Sequence, residues 1–180
     1  PIVFSKETAA WKTLAASEEK KVADLIKKID PLIVWNGKAG YKAPAAVKPL
    51  STEEQQRFEN GKGLYSLTCG ACHQPNGTGA EGMAPPLVNS EWVLGSDERL
   101  ARIILHGVKG PITVNGQKWD MEMPGLPFFD DEQIASIMTY LRREWEHTGN
   151  PVTPDTVKKI REATGDRSES WTEAELLKLP

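Results

Sequence analysis

The chain has 180 residues, 39% of them apolar and 26% charged, with a formal net charge of −3. That balance belongs to a globular protein: it excludes a disordered chain and supplies no basic stripe for nucleic acid. The length allows one domain with extensions or two very small ones, and no apolar run approaches the roughly 18 residues that suggest a membrane span.

Taken in chain order, Ser17 is the expected N-cap of a first amphipathic helix. Val22, Leu25, Ile26 and Ile29 lie on one face, with Lys20, Lys21, Lys27 and Lys28 elsewhere on the turn, and Asp30-Pro31 stops it. The apolar run 32–35 is core-sized, and residues 37–49, rich in Gly, Ala, Lys and Pro, read as a surface linker. Ser51 with Glu54 forms a capping box that opens a helix towards Leu67, followed by a glycine-rich loop over 70–82. Ser96 is the expected cap of a short helix over Asp97–His106, ended by Gly107. Gly-Pro and Asn-Gly steps make 108–119 a loop or a small hairpin. Asp130 with Gln133 caps a long helix, stapled by Phe129 and Ile134 and running through Ile137, Tyr140 and Leu141 to about Trp145.

The remaining residues, 150–180, hold two more helical pieces. One starts at Thr153-Pro154 and ends at Gly165, and the other is capped by Thr172 with Glu175 and stapled by Trp171 and Leu176. No repeat and no strong strand pattern is visible, so the fold class is all-α. The chain divides into an N-terminal helix and linker (1–50), a compact unit (51–149) and a helical tail (150–180). The apolar face of Val22, Leu25, Ile26 and Ile29 is too small for a core of its own, and chains below about 40 residues rarely fold alone, so both flanks are expected to pack on the central unit.

The two cysteines sit in Cys69-Gly70-Ala71-Cys72-His73, which is Cys-x-x-Cys-His, the attachment signature of c-type haem. The spacing has a physical reason: two thiols add to the two vinyl groups on one edge of the macrocycle, and the next residue then reaches the iron with its imidazole. A redox Cys-x-x-Cys would follow a strand in an α/β pattern, which is absent, and a zinc site would need a second Cys or His cluster, whereas His106 and His147 stand alone. Those two histidines read as helix-end or solvated residues. The same two cysteines are too few and too close for the framework of a disulfide-rich secreted protein.

With this motif in place, 51–147 resembles a class I, monohaem cytochrome c domain of the bacterial type. Gly61 and Tyr65, eight and four residues before Cys69, match the glycine and aromatic of that family's first helix, and Ile137 with Tyr140 match the pair on its last helix. The family's Gly-Pro-x-Leu element reads Ala84-Pro85-Pro86-Leu87 here, with Ala in place of Gly. The resemblance implies helices around one covalent haem c, with His73 as proximal ligand and the Pro85 carbonyl accepting the proton on its Nδ1. It also implies a methionine as sixth ligand on a loop before the last helix, a ligation that raises the potential. Met123, before Pro124, fits best. Met121 is the nearest rival, Met83 lies too close to the attachment motif, and Met138 falls inside the last helix. Trp119, Arg102 and Lys109 are candidates to meet the propionates, and Trp92, Leu94, Leu100, Ile103 and Ile104 to form the apolar wall.

The function implied is electron transfer, by a carrier rather than an enzyme. The rival is a haem enzyme or small-ligand sensor with an open or weakly held sixth position. Residues 90–93, 106–112 and 152–179 are similar to haem domains that accompany or are fused to periplasmic dehydrogenases. On that resemblance the expected partners are a dehydrogenase donor and a downstream cytochrome or oxidase acceptor, with no nucleic acid and no transmembrane segment in this chain. The chain begins at Pro1, so a removed leader or a segment of a longer secreted protein is expected, and a periplasmic or extracytoplasmic location with it.

Overall fold

The computed structural model describes residues 2–4, 6–35, 37–40 and 47–179, and the expected linker over 37–49 lies partly outside them. The chain falls into two compact units, residues 1–48 and 49–180.

In the first unit, β1 (Ile2–Phe4) pairs in parallel with β2 (Ile33–Trp35), and α1 (Ala9–Ala15) and α2 (Lys20–Ile29) connect them. The apolar run 32–35 thus supplies a strand. Ser17 does not cap α2. The N-cap is Glu19, without a side-chain bond, and Ser17 Oγ accepts from the Glu19 N–H instead. Among the residues of α2 none is buried. This unit is organised around Lys38, whose ammonium lies 5.0 Å from the Trp35 ring and 6.0 Å from the Trp11 ring and pairs with Asp30 at 2.9 Å.

The second unit is mostly helical with a few short strands. Its helices are α3 (Thr52–Leu64), α4 (Gly70–His73), α5 (Glu91–Leu94), α6 (Asp97–His106), α7 (Asp131–Arg143), α8 (Pro154–Ala163) and α9 (Glu173–Leu176). The capping boxes of Ser51/Glu54, Asp130/Gln133 and Thr172/Glu175 are all formed. α3 does not stop near Leu67: a π-turn, Tyr65–Cys69, carries it into α4, so the backbone stays helical through His73. The strands are β3 (Gly107–Val108), β4 (Pro111–Val114), β5 (Gln117–Asp120) and β6 (Met123–Pro124). β4 and β5 form a hairpin about Asn115-Gly116, while β3 pairs antiparallel with β6.

Two helices fix the frame. α3 and α7 cross where Gly61 meets Ser136, so closely that a Cβ on Gly61 would lie 2.0 Å from the Ser136 carbonyl oxygen. Around this crossing Tyr65, Phe58 and Trp145 surround Tyr140, with ring centroids 5.2, 5.3 and 5.7 Å from it. Arg57 on α3 is buried and tied to Glu132 on α7 at 2.9 Å. The main core joins α3, α6, α7 and α8, with Ile134, Ile137, Met138 and Val157 wholly buried. A second core, smaller and richer in strand residues, gathers Trp92, Ile103, Val108, Ile112, Val114, Trp119 and Leu176. The C-terminal helices therefore contribute to both cores.

Candidate haem site

The π-turn shapes the attachment segment. It inserts an extra residue into the helix just before Cys69, a device frequent at functional sites. The Tyr65 hydroxyl donates to the Gln74 carbonyl, and the Gly79 N–H donates to the His73 carbonyl at 2.9 Å, so His73 is held from both directions along the chain. Cys69 is half-buried and Cys72 exposed; the two thiols form no disulfide. Burial, with Cys72 nearby, pushes the Cys69 thiol up to about 11.

His73 is buried, and burial lowers its basicity below the ordinary histidine value against the opposing effect of the Pro85 bond. The neutral ring is the form that binds a metal. Its Nδ1 lies 2.8 Å from the Pro85 carbonyl oxygen, which only accepts, so Nδ1 carries the proton and Nε2 has its lone pair available. Gly79 guards that bond. Its φ is +69°, and a Cβ there would stand 2.4 Å from the Ala84 carbonyl oxygen and 2.7 Å from that of Pro85.

His73 faces two adjoining apolar cavities of about 770 and 650 Å³, counting the mouths that open to solvent. Cys72, His73, Leu87, Leu100, Ile103 and Met123 line both. Pro85, Trp92 and Trp119 line the larger, while Cys69, Ile104 and Leu141 line the smaller. The space therefore lies between the attachment helix, α6 and the strand of Met123, a size and polarity suited to a large flat apolar ligand. Trp119 adds a polar point: its indole N–H is buried and has no hydrogen-bond partner in the protein. An orphaned buried donor costs free energy unless a bound group accepts from it. Two thiols at the edge, one imidazole with a free nitrogen, one thioether and one unpaired donor on an apolar wall fit a haem.

Several expected residues fall elsewhere. Arg102 does not line the cavities. Its guanidinium donates to the Glu98 carboxylate at 3.1 Å and lies over Trp171, a pairing that the i,i+4 spacing of Glu98 and Arg102 already signals. Lys109 is engaged by Glu169. Leu94 packs in the main core rather than against the cavity, and Met138 is wholly buried there. Met83 and Met121 line only the larger cavity and are both exposed. His147 is not solvated: it is buried, its Nδ1 donates to the Leu141 carbonyl at 2.7 Å, and its Nε2 accepts from the Asn89 N–H at 2.9 Å. His106 is half-buried and donates to Thr164 Oγ1 at 2.7 Å, since that hydroxyl gives its own proton to the Ile160 carbonyl. The wall residues Val108, Ile112 and Val114 escaped the sequence reading, although the alternation of Ile112 and Val114 is a period-2 signal.

The cytochrome c family model matches residues 58–145, the span that holds the attachment motif and Met123. Cytochrome c-552 of Thermus thermophilus is 32% identical over 111 residues, which are 57% of this chain and 84% of that protein. This chain belongs to the cytochrome c family. As a class I cytochrome it binds covalent haem c and serves electron transfer, as a carrier rather than a catalyst. Two further relatives are parts of larger assemblies. The cytochrome c subunit of the quinone alcohol dehydrogenase of Gluconobacter oxydans is 29% identical over 104 residues, 56% of this chain and 22% of the subunit. The CcoP subunit of the cbb3-type cytochrome c oxidase of Azospirillum brasilense is 35% identical over 89 residues, 46% of this chain and 27% of the subunit. Among the described residues of this cytochrome, no helix is long and apolar enough to cross a membrane.

Proposed function

We propose that Cys69 and Cys72 form the thioether links, that His73 and Met123 are the axial ligands, and that the chain passes single electrons from a periplasmic dehydrogenase to a downstream cytochrome or oxidase. The observation that carries the ligand assignment is that one residue of each kind, His73 and Met123, lines the same pair of apolar cavities from different elements. Bound haem supplies a one-electron couple at its iron. The residues of the chain set the conditions for it. Pro85 fixes the His73 tautomer and makes Nε2 more basic, while a thioether from Met123 favours the reduced state. Leu87, Leu100, Ile103, Ile104 and Trp92 keep water from the site, and Trp119 offers its N–H to a propionate. The dehydrogenase and oxidase subunits among the relatives support the assignment of partners, and with it an extracytoplasmic location.

The test is direct. The denatured protein should exceed the mass of the chain by one haem and keep its colour through acid–acetone extraction. Met123→Ala should lose the weak red charge-transfer band of the ferric protein and admit cyanide, whereas Met121→Ala and Met83→Ala should not. An extractable pigment would end the covalent reading, and an unchanged band in Met123→Ala would move the sixth ligand elsewhere.

A further inference from the structure

The strand that carries Met123 is two residues long, and so is its partner β3. A pair this short does not hold itself in water. A third segment completes it. The Trp171 N–H donates to the Gly107 carbonyl at 3.0 Å, and the Lys109 N–H donates to the Trp171 carbonyl at 2.8 Å, in a parallel bridge to Val108. β3 is thus the middle of three, with Met123 on one side and Trp171 on the other.

The segment around Trp171 is fastened at separate points. The Arg167 guanidinium lies 3.6 Å from the Trp171 ring centroid and donates to Ser170 O and the Glu175 carboxylate. The Glu173 carboxylate accepts from the Thr113 N–H on β4 at 2.8 Å. Leu176 is wholly buried in the second core, against which Met123 and Trp171 both pack. These contacts land on β3, β4 and α6, the elements that frame Met123. Yet no residue of 166–179 lines either cavity. The segment can act on the site only through the elements it holds.

We propose that residues 166–179 brace the Met123 strand against the haem cavity, with Trp171 and Leu176 as positioning residues that keep the distal side closed to outside ligands. This rests on the reading of Met123 as sixth ligand. A thioether bound from a free two-residue strand would leave and return often. The affinity for an outside ligand scales with the fraction of time the position is open, and the brace keeps that fraction small.

The experiment uses the full haem-loaded chain in its ferric state and measures imidazole binding, the Met charge-transfer band and thermal stability. Leu176→Ala and Trp171→Ala should each tighten imidazole binding roughly tenfold or more and weaken the band, because each raises the open fraction. Trp171→Phe keeps the backbone bonds and most of the packing, and should bind imidazole within about twofold of the parent. Met138→Ala, a cavity in the main core away from the brace, should lower thermal stability without changing the affinity. If Leu176→Ala does not fold, Leu176→Val should show the same effect in smaller measure. Parent-like affinity in the Leu176 and Trp171 variants, with tighter binding in Met123→Ala, would overturn the brace and leave the ligand assignment standing. An equal tightening in Met138→Ala would also overturn it, since the effect would then follow global stability. A Met123→Ala variant with its band intact would remove the ligand assignment itself.

Discussion

The proximal and distal sides of the site are built in different ways. His73 ends a helical run that begins at Thr52, is clamped at Gly61 by α7, and has its ring fixed by Pro85. Met123 sits half-buried on a two-residue strand whose partner is equally short and which leans on the C-terminal segment. One side is preorganised by long helices over the main core, and the other is assembled from short pieces over a smaller one. Segments with few buried apolar contacts open first, so under the proposed ligation the fold would hold its haem on the rigid side and let the other side yield.

The largest effect tests that division at the ligands. His73→Ala should leave almost no stable holoprotein, whereas Met123→Ala should accumulate with covalent haem and an altered spectrum, as pigment yield and absorption would show. If Met123→Ala also failed to accumulate, the two sides would be equally structural. Next in size is the clamp. Gly61→Ala places a methyl group against the Ser136 carbonyl and should cost about 3 kcal/mol, the upper range for overpacking. Equilibrium denaturation would show this as a lower midpoint, with the affinity for an outside ligand unchanged.

Acid should separate the sides more gently. The Glu175 carboxyl is held down to about 2 by the Thr172 N–H and hydroxyl and by Arg167. Its folded value lies below the unfolded one, so its contribution is complete above the ordinary value of 4.5 and is lost as pH falls through about 2. The amides of Lys109 and Trp171 should therefore lose exchange protection in that window before those of α3 and α7 do. His106 acts in the same sense higher up: burial and nearby Arg167, Arg161 and Arg102 lower its basicity, so its share of stability fades as pH drops below the usual histidine range. The smallest effect belongs to Trp119→Phe. It keeps the ring on the wall and removes the N–H, and should cost about 1 kcal/mol in the holoprotein, the worth of one hydrogen bond, with a slightly lower potential by spectroelectrochemistry. No change in either would free the indole from the propionate role.

What could be read in the sequence follows the same divide. The caps at Ser51, Asp130 and Thr172 are local, set by residues three apart, and each formed as read. The attachment motif and the Gly61 crossing likewise rest on fixed short spacings. The pairing of β3 with β6 was not legible, because two residues carry no period and their partners are far along the chain. The same holds for the bridge from Trp171 to Val108. A serine before an amphipathic stretch caps it only if the helix starts at once, and after Ser17 α2 begins three residues later. Arg102 has the charge and the position to meet a propionate, but Glu98 one turn before it claims the guanidinium. A position just after a helix end implies a solvated His147, but the backbone at Trp145 and Glu146 takes positive φ of +53° and +63° and turns it inward.

With His73 as the proposed ligand, the glycine at position 79 would make the potential of this carrier adjustable by inheritance without touching a ligand. It is the stop against which the Pro85 carbonyl rests, and with His73 as the proposed proximal ligand that carbonyl would set how strongly the imidazole donates to the iron. A methyl group there would push the carbonyl away, weaken the donation and shift the couple towards the reduced state, with Cys69, Cys72 and Met123 all unchanged. A relay must lie between its donor and its acceptor in potential. A lineage that changes either neighbour can retune this link through one backbone contact, and it can do so while the electron path stays as it was.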